Sequence, residues 1–363
     1  MNPHDPQSPR LSRRQALGAL SACVGAGLAT AWRGDGGAVS AAQTTYRSVQ
    51  RISVAKGAVI RTILKDLSPD ALADGATLIH EHLGNDVDLM VDELKGAKAD
   101  GLGCLVNATT TRRTSEQVER VRQIALRSPV HVVLAGGYLE DLGFAPYPPH
   151  IAQATEQQLV DEFVADAAKY RWGAFGEIGT SLQMQQDERK VLRAIAKAHL
   201  QTHLPIFTHV PHEGCPTCAL EQLDLFESEG VRPGSVCIGH LATIQVGQDP
   251  KMETHQRIAR RGAFVDFGPV GHEMARSHIP EAEKVKRFMM LVDAGVEDQL
   301  LLTSDMGNPA HYKANWGNGF STVLVQFVPK LRLAGVKETT IRKVLVDNPR
   351  RFLAFVPTPG QRS

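Results

Sequence analysis

The chain has 363 residues, of which 42% are hydrophobic and 22% charged, and its formal net charge is +1. These proportions are typical of a soluble globular protein and leave room for one large core. The near-neutral charge, without a basic stripe carrying interleaved aromatic residues, argues against nucleic acid as a partner, so we expect a small-molecule substrate.

The N-terminal region resembles a twin-arginine signal peptide. A Ser-Arg-Arg sequence at residues 12–14 precedes a weakly apolar run at 16–31, and small residues continue to Ser40. We therefore expect residues 1–40 to be removed and the mature protein to be exported to the periplasm. A second interpretation stays open, in which a lipoprotein box ends at Cys23 and a lipid on that residue anchors the chain. No other stretch is long and apolar enough for a transmembrane domain.

The remaining chain alternates short apolar runs with helix-like segments. Residues 41–75 are expected to form an extension with a short hairpin cap that turns at Lys56-Gly57, residues 76–355 the main domain, and residues 356–363 a tail. Eight apolar runs are predicted strands, at 76–79, 103–108, 132–135, 174–176, 205–208, 236–239, 263–267 and 300–304.

Predicted helices lie between most of these strands. Their apolar residues recur at helical spacing, as in Leu159, Val160, Phe163 and Ala167. The alternation predicts an α/β fold with a parallel sheet, closed as a (β/α)8 TIM barrel by the C-terminal helices. The predicted helices cover 115–126, 156–170, 187–201, 220–229, 251–261, 281–294 and the C-terminal region 321–346.

Six polar residues follow the predicted strands at regular intervals. The intervals from His80 to Glu177, then to His209, His240 and Asp305 in turn, are 97, 32, 31 and 65 residues. These are multiples of about 32 residues, the length of one strand and its returning helix. The residues therefore fall at the carboxyl ends of strands 1, 4, 5, 6 and 8, where barrel enzymes hold their active sites. They are His80, His82, Glu177, His209, His240 and Asp305.

This set predicts a dinuclear metal centre at the C-terminal face of the strands. His80 and His82 are two residues apart on a strand, so both side chains point to one face. A single strand histidine is more often a packed core residue, but six clustered polar groups would be unsatisfied in a core without a ligand. Six ligands are too many for one tetrahedral zinc and suit two divalent ions, with Zn²⁺ as the expected metal.

Each ligand can be given a role. Glu177 is expected to bridge the two ions, with His80, His82 and Asp305 on the first ion and the remaining two histidines on the second. A metal-bridged hydroxide would be the nucleophile near neutral pH. Asp305 is the predicted catalytic residue, because it can accept the proton of that nucleophile and pass it to the leaving group.

At these residues the chain resembles the phosphotriesterase family of the amidohydrolase superfamily, from about residue 51 to 355. The resemblance implies a (β/α)8 barrel, a dinuclear zinc-type centre and hydrolysis of an ester, lactone, amide or phosphoester. The matching motifs are Thr77-Leu78-Ile79-His80-Glu81-His82-Leu83, Glu177-Ile178-Gly179-Thr180-Ser181, Phe207-Thr208-His209, Val236-Cys237-Ile238-Gly239-His240, Ser304-Asp305-Met306 and Asp347-Asn348-Pro349-Arg350-Arg351-Phe352.

The departures from the family pattern bear on the substrate. Glu177 stands where the family's phosphate-ester hydrolases carry a carboxylated lysine, and Leu241 stands where an aspartate is common. Phe267-Gly268-Pro269 replaces the arginine of the acyl-homoserine lactonases and the histidine of the organophosphate hydrolases. We therefore expect a largely neutral lactone, carboxyl ester or amide. Phosphotriester hydrolysis and a non-catalytic exported metal-binding protein are the alternatives, and Asp305 argues against the latter.

Residues on the loops after strands 3, 7 and 8 are weaker candidates for substrate binding. Tyr138, Phe267, His272 and His311 are the predicted contacts, although Tyr138 is equally consistent with packing. Asn107 and Arg113 are expected to be structural. The sequence leaves open whether the protein forms a homodimer.

The cysteines allow three interpretations. Cys215 and Cys218 are expected to form a loop-stiffening disulfide, with a redox pair or a further metal site with His212 as alternatives. A thiol oxidoreductase would need a thioredoxin-like unit, which the sequence does not suggest. Cys104 and Cys237 lie inside predicted strands and should be inert core thiols.

Overall fold

A computed structural model describes residues 52–108, 114–139, 147–271 and 279–358. The expected signal peptide with Cys23, and also Arg113 and His272, lie outside these residues. Within the described part of the chain, no helix combines the length and apolar character needed to cross a membrane.

Eight parallel strands form a nearly closed barrel, which confirms the predicted fold. Each strand pairs with the next in chain order. Between the first and last strands, the Asp305 amide donates to the His80 carbonyl at 3.2 Å, and the His82 amide to the Met306 carbonyl at 2.8 Å. The strands are β3 (Ala76–Glu81), β4 (Leu102–Asn107), β5 (His131–Gly136), β6 (Ala174–Gly179), β7 (Ile206–His209), β8 (Val236–Ile238), β9 (Phe264–Asp266) and β10 (Leu300–Leu301).

Helices follow most of the strands. The helix Val87–Ala99 was not predicted from the sequence, because Gly96 and scattered charges obscure its apolar face, although Asp86 caps its first turn. The helices are α1 (Val87–Ala99), α2 (Ser115–Arg127), α3 (His150–Gln153), α4 (Glu156–Tyr170), α5 (Gln186–Thr202), α6 (Pro216–Ser228), α7 (Glu253–Arg260), α8 (Glu281–Asp293), α9 (Val328–Leu333), α10 (Glu338–Arg342) and α11 (Asn348–Leu353).

Side-chain caps explain where several helices begin. Thr114 starts α2 and Thr155 starts α4, and each forms a reciprocal capping box with a glutamine three residues later. Both helices bury one apolar face, which in α4 includes Leu159 and Phe163 as the sequence predicts. Local signals and packing therefore agree in this part of the fold.

The N-terminal cap is a hairpin, but its turn differs from the prediction. β1 (Ile60–Arg61) pairs antiparallel with β2 (Asp66–Leu67). The turn residue Thr62 makes both a backbone and a side-chain hydrogen bond to Lys65. The predicted Lys56-Gly57 pair is also a turn, but it lies before the hairpin rather than within it.

The barrel interior and the layer between sheet and helices form separate apolar clusters. Cys104 and Cys237 are buried in the interior cluster, and burial raises the pKa of the Cys104 thiol to about 12. Both are therefore inert core thiols, as predicted. Phe352 of α11 packs at 5.4 Å against Phe264 and closes the end of the barrel opposite the polar residues described next.

Candidate metal centre

An irregularity in β3 aims two histidines at the barrel axis. The register with β4 shifts between Leu78 and Glu81, which interrupts the usual alternation of faces. Ile79 packs in the interior cluster, and the next residue, His80, also faces inward. Because alternation resumes beyond the shift, His82 faces the same side as His80, as predicted.

A similar irregularity in β6 turns Glu177 inward. The register with β7 shifts between Phe175 and Ile178, both of which pack in the outer layer. Ala174 belongs to the interior cluster, so strict alternation would send residue 177 outward. The shift instead places the carboxylate among the histidines.

Glu177 lies at the middle of the predicted ligands. Its Oε2 is 2.7 Å from His209 Nδ1, 2.9 Å from His80 Nε2 and 3.7 Å from His240 Nε2. Its Oε1 is 3.4 Å from His82 Nε2. One carboxylate therefore faces four imidazoles through its two oxygens, which is the arrangement a bridging ligand needs.

Asp305 completes the group from the loop after β10. Its Oδ1 is 3.0 Å from His82 Nε2 and 3.9 Å from His80 Nε2, and its Oδ2 is 3.9 Å from His240 Nε2. All six predicted ligands thus converge at the carboxyl ends of the strands.

The electrostatics of the cluster favour ionised carboxylates. Burial would raise the pKa of Glu177, but the charges of His80 and His209 outweigh it and hold the pKa well below its usual value. Burial likewise opposes ionisation of Asp305, and its contacts with His82 and His240 more than compensate, so its pKa is also lowered. Both groups are therefore anionic at neutral pH.

The donor set fits divalent metal ions. The ligand atoms of His80, His82 and Glu177 lie within 4.8 Å of one another, as do those of His80, His240 and Asp305. Among the described residues, the buried Nε2 atoms of His80, His209 and His240 have no hydrogen-bond partner of good geometry. Buried imidazole nitrogens without partners are costly unless a ligand takes them. Imidazole and carboxylate donors together suit metals of the zinc type.

Two of the ligands adopt left-handed backbone conformations. The φ angles of His240 and Asp305 are 58° and 52°. Such angles cost a non-glycine residue about 1–2 kcal/mol and are often kept at functional sites. The His240 amide donates to Asp266 Oδ2 at 3.4 Å, and the Asp305 amide donates to the His80 carbonyl at 3.2 Å.

Glu81 clamps the backbone around Asp305. Glu81 lies between His80 and His82 in the sequence and is fully buried. It accepts hydrogen bonds from the Ser304 amide at 2.9 Å, the Ser304 hydroxyl at 2.7 Å and the Met306 amide at 2.8 Å. Asp266 acts similarly at β9, where its Oδ2 lies 3.6 Å from His80 Nδ1 and its Oδ1 accepts from Thr303. Sequence reasoning missed both, although one stands between two ligands and the other ends a strand.

A cavity of about 280 Å³ lies against the cluster. It is lined by Gly307 and Asn308 from the loop after β10, together with several ligands and His212. His212 is 5% exposed, and sequence reasoning did not place it in the main site. Its position three residues after a ligand was the available signal.

The three predicted substrate contacts that the structure describes do not line this cavity. Phe267 is fully buried in the outer layer against Phe288, because the preceding Asp266 faces inward and the strand alternates. Tyr138 is 1% exposed, and its hydroxyl donates to Glu162 of α4 at 2.6 Å. Both side chains pack between sheet and helices, which disagrees with substrate contact by Phe267 and agrees with the packing alternative left open for Tyr138. His311 lies on the loop after β10 but is not among the residues that line the cavity.

The cysteine and asparagine predictions agree with the structure. Cys215 and Cys218 form a disulfide, although at the start of α6 rather than in a free loop, since that helix begins four residues before its predicted start. Asn107 is structural, because its Oδ1 accepts from the Leu83 amide at 2.9 Å.

This fold and this site define a metal-dependent hydrolase of the barrel class. The model of the phosphotriesterase family matches residues 62–353. The chain therefore belongs to the phosphotriesterase family.

Three relatives illustrate the range of that family. The phosphotriesterase homology protein of Escherichia coli K12 is 29% identical over 299 residues, covering 77% of this chain and 97% of the relative. Its crystal structure, described with phosphate in the active site, matches with a TM-score of 0.68 at 28% identity, covering 77% of this chain and 98% of its own. The human N-acetyltaurine hydrolase is 26% identical over 75% of this chain and 79% of its own. The lactonase Lmo2620 of Listeria monocytogenes, at 24% identity and a TM-score of 0.69, covering 81% of this chain and 98% of its own, supports the fold alone.

Proposed function

We propose that the protein is a dinuclear-metal-dependent hydrolase that cleaves an amide, lactone or carboxyl ester of a small molecule. The observation that carries this proposal is the convergence of four imidazoles and two carboxylates at the carboxyl ends of the strands, in a cluster that borders one cavity. Glu177 would bridge the two halves of the centre, with His80, His82 and Asp305 on one side. The two remaining histidines, His209 and His240, lie on the other.

Two divalent ions, which we propose to be zinc, would polarise the scissile carbonyl and supply a nucleophilic water at neutral pH. The residues around them have separate tasks. Asp305 borders the cavity as an anionic carboxylate and is placed to accept the proton of the attacking water and return it to the leaving group. Glu81 keeps that carboxylate in place through the Ser304 and Met306 backbone. A difference in exposure between the two halves of the centre supports the role given to Asp305. The side chain of His82, which lies in the same half as Asp305, is 25% exposed, whereas that of His240 in the other half is 1% exposed.

Similarity to known proteins, rather than the residues of the cavity wall, supports the type of bond that we propose is cleaved. The expectation of a neutral substrate rested in part on Phe267, which is buried away from the site. The relative named for amide hydrolysis spans three quarters of this chain. We therefore retain a carbonyl substrate, with amides foremost and phosphotriesters as the alternative.

A hydrolysis screen tests the proposal. Zinc-loaded mature protein would be assayed against N-acyl amino acids and N-acyl aminosulfonates, lactones, carboxyl esters and phosphotriesters. We expect the highest kcat/KM for a carbonyl substrate. A kcat/KM for a phosphotriester tenfold above every carbonyl compound, about 1.4 kcal/mol in transition-state preference, would contradict the bond type.

Metal analysis tests the dinuclear centre separately. Elemental analysis should give two ions per chain, and Glu177→Gln should reduce both metal content and activity. A single ion in the parent protein, or full content and activity in the variant, would refute the bridging role.

Export to the periplasm is a further proposal that rests on residues 1–40 alone. Fractionation of cells expressing the full chain should recover protein whose N-terminus follows Ser40. A lipid on Cys23 would support the lipoprotein alternative, and uncleaved cytoplasmic protein would contradict both.

A further inference from the structure

A fifth imidazole lies beside the second half of the centre. The ring of His212 is 4.7 Å from that of His209 and 4.9 Å from that of His240, and the latter two rings are 4.1 Å apart. One ligand atom from each of the three lies within 4.8 Å of the others, and all three residues are buried. This is a further complete group of potential metal ligands.

We infer that His212 is a third imidazole ligand of the second ion. The inference rests on the proposed dinuclear centre and deepens it. With Glu177, the three imidazoles would give that ion four protein ligands, which is the closed tetrahedral set of a structural zinc site. The more exposed half, with His82 and Asp305, would keep an open coordination position, as catalytic sites do.

The loop that carries His212 is fixed against the loop of His240. Residues Pro211 to Gly214 form a turn closed by a 2.8 Å backbone hydrogen bond. Gly214 has a φ of 75°, and a Cβ built there would lie 2.5 Å from the Cα of Ile244, four residues after His240. Only glycine permits so close an approach with this backbone conformation. The loop is therefore packed against the segment that follows a proposed ligand.

The disulfide fixes the other side of the same loop. Cys215, directly after the turn, is bonded to Cys218 in the first turn of α6. The Cys218 sulfur lies 3.8 Å from the Ser181 carbonyl and 3.4 Å from the Leu182 carbonyl, on the chain that leaves Glu177. His212 is thus held between the segments that carry Glu177 and His240. Side chains held in place before binding are what a tight metal site requires.

Chelator competition with the cobalt- and zinc-loaded protein tests the inference. His212→Asn shortens the side chain while keeping it polar, and Glu213→Gln is the matched control on the same turn. His209→Asn is the reference for loss of a proposed second-ion ligand. We expect His212→Asn to weaken one of the two ions at least about tenfold, as His209→Asn does, while Glu213→Gln leaves both affinities unchanged. The visible absorption of the cobalt form should change in intensity, because coordination number changes.

A measurement on the unaltered protein covers the case in which a variant does not fold. Proton NMR of the cobalt-loaded parent should show strongly shifted imidazole resonances from five histidines. These are His80 and His82 on the first ion and His209, His212 and His240 on the second. Resonances from four would overturn the inference. So would a folded His212→Asn protein with parental metal affinities and cobalt spectrum, and a raised KM in such a protein would assign His212 to substrate instead. Because these readouts do not depend on turnover, a failed hydrolysis screen would refute the proposed function and leave this inference standing.

Discussion

The two ends of the barrel both bury polar side chains, but they use them differently. At the amino end, the buried Asn348 amide donates to the Glu297 and Leu300 carbonyls at 2.7 Å each. The fully buried Arg350 donates to the Pro69 carbonyl at 2.9 Å and to Asp70 at 2.7 Å. At the carboxyl end, among the residues that the structure describes, the buried Nε2 atoms of His80, His209 and His240 have no hydrogen-bond partner of good geometry. Polar groups are buried at both ends. What distinguishes the structural end from the candidate catalytic end is whether those groups have hydrogen-bond partners.

The largest expected effect is that of Asp305→Asn. The amide is a poor metal ligand and cannot accept a proton, so kcat should fall about a hundredfold or more. Steady-state kinetics and elemental analysis on the best substrate of the screen would measure it. The thermal midpoint of the metal-free protein should change little, because the contacts of the Asp305 side chain are with histidines of the centre. Retained activity with full metal content would show that the proton leaves by another route.

The counterpart at the amino end is Arg350→Met, which should affect stability and not chemistry. The substitution removes the donor to the buried Pro69 carbonyl and one of the two arginines that contact Asp347, since Arg342 still lies 3.3 Å from it, and the free energy of unfolding should fall by about 3 kcal/mol. Most of that loss comes from buried contacts, because the Asp70 side chain is 67% exposed. Urea unfolding measures the loss. A fall in kcat comparable to that of Asp305→Asn, in folded protein, would break the distinction between the two ends.

How much of the difference between the two ends could be predicted from the sequence depends on the structural element. The strands and the convergence of the six proposed ligands follow from spacing, because parallel barrel strands all end on one face. The register shifts at Ile79 and Gly176 could not be predicted, since a bulge depends on pairing with the neighbouring strand. Phe267 was misassigned although alternation after an inward Asp266 would have sent it outward. His212 could not be placed because the turn that aims it depends on distant backbone at Ile244.

The disulfide lies at the carboxyl end but is expected to act on stability. Replacing Cys215 and Cys218 with alanine removes a cross-link over a short loop, worth about 2 kcal/mol in the chain-entropy account. Turnover at saturating metal should stay within about twofold of the parent, since neither sulfur lines the cavity. Urea unfolding and steady-state assays measure the two effects. Mass spectrometry that found both thiols free in exported parent protein would remove the basis of the prediction.

The smallest expected effect concerns His199 in the last turn of α5, just before the start of β7. Its Nδ1 lies 2.7 Å from the Leu204 carbonyl, and burial lowers its pKa below the ordinary value of 6.5, with smaller contributions from His203 and Arg232. Because the folded pKa is below the unfolded one, the unfolded chain binds the proton more readily. The resulting stability is present above pH 6.5 and is lost as the pH falls below it. His199→Gln can still donate to the carbonyl and cannot titrate. Between pH 7 and 5, the parent should therefore lose more unfolding free energy than the variant. Urea unfolding at both pH values measures this difference, and parallel losses in the two proteins would show that His199 titrates alike in the folded and unfolded chain.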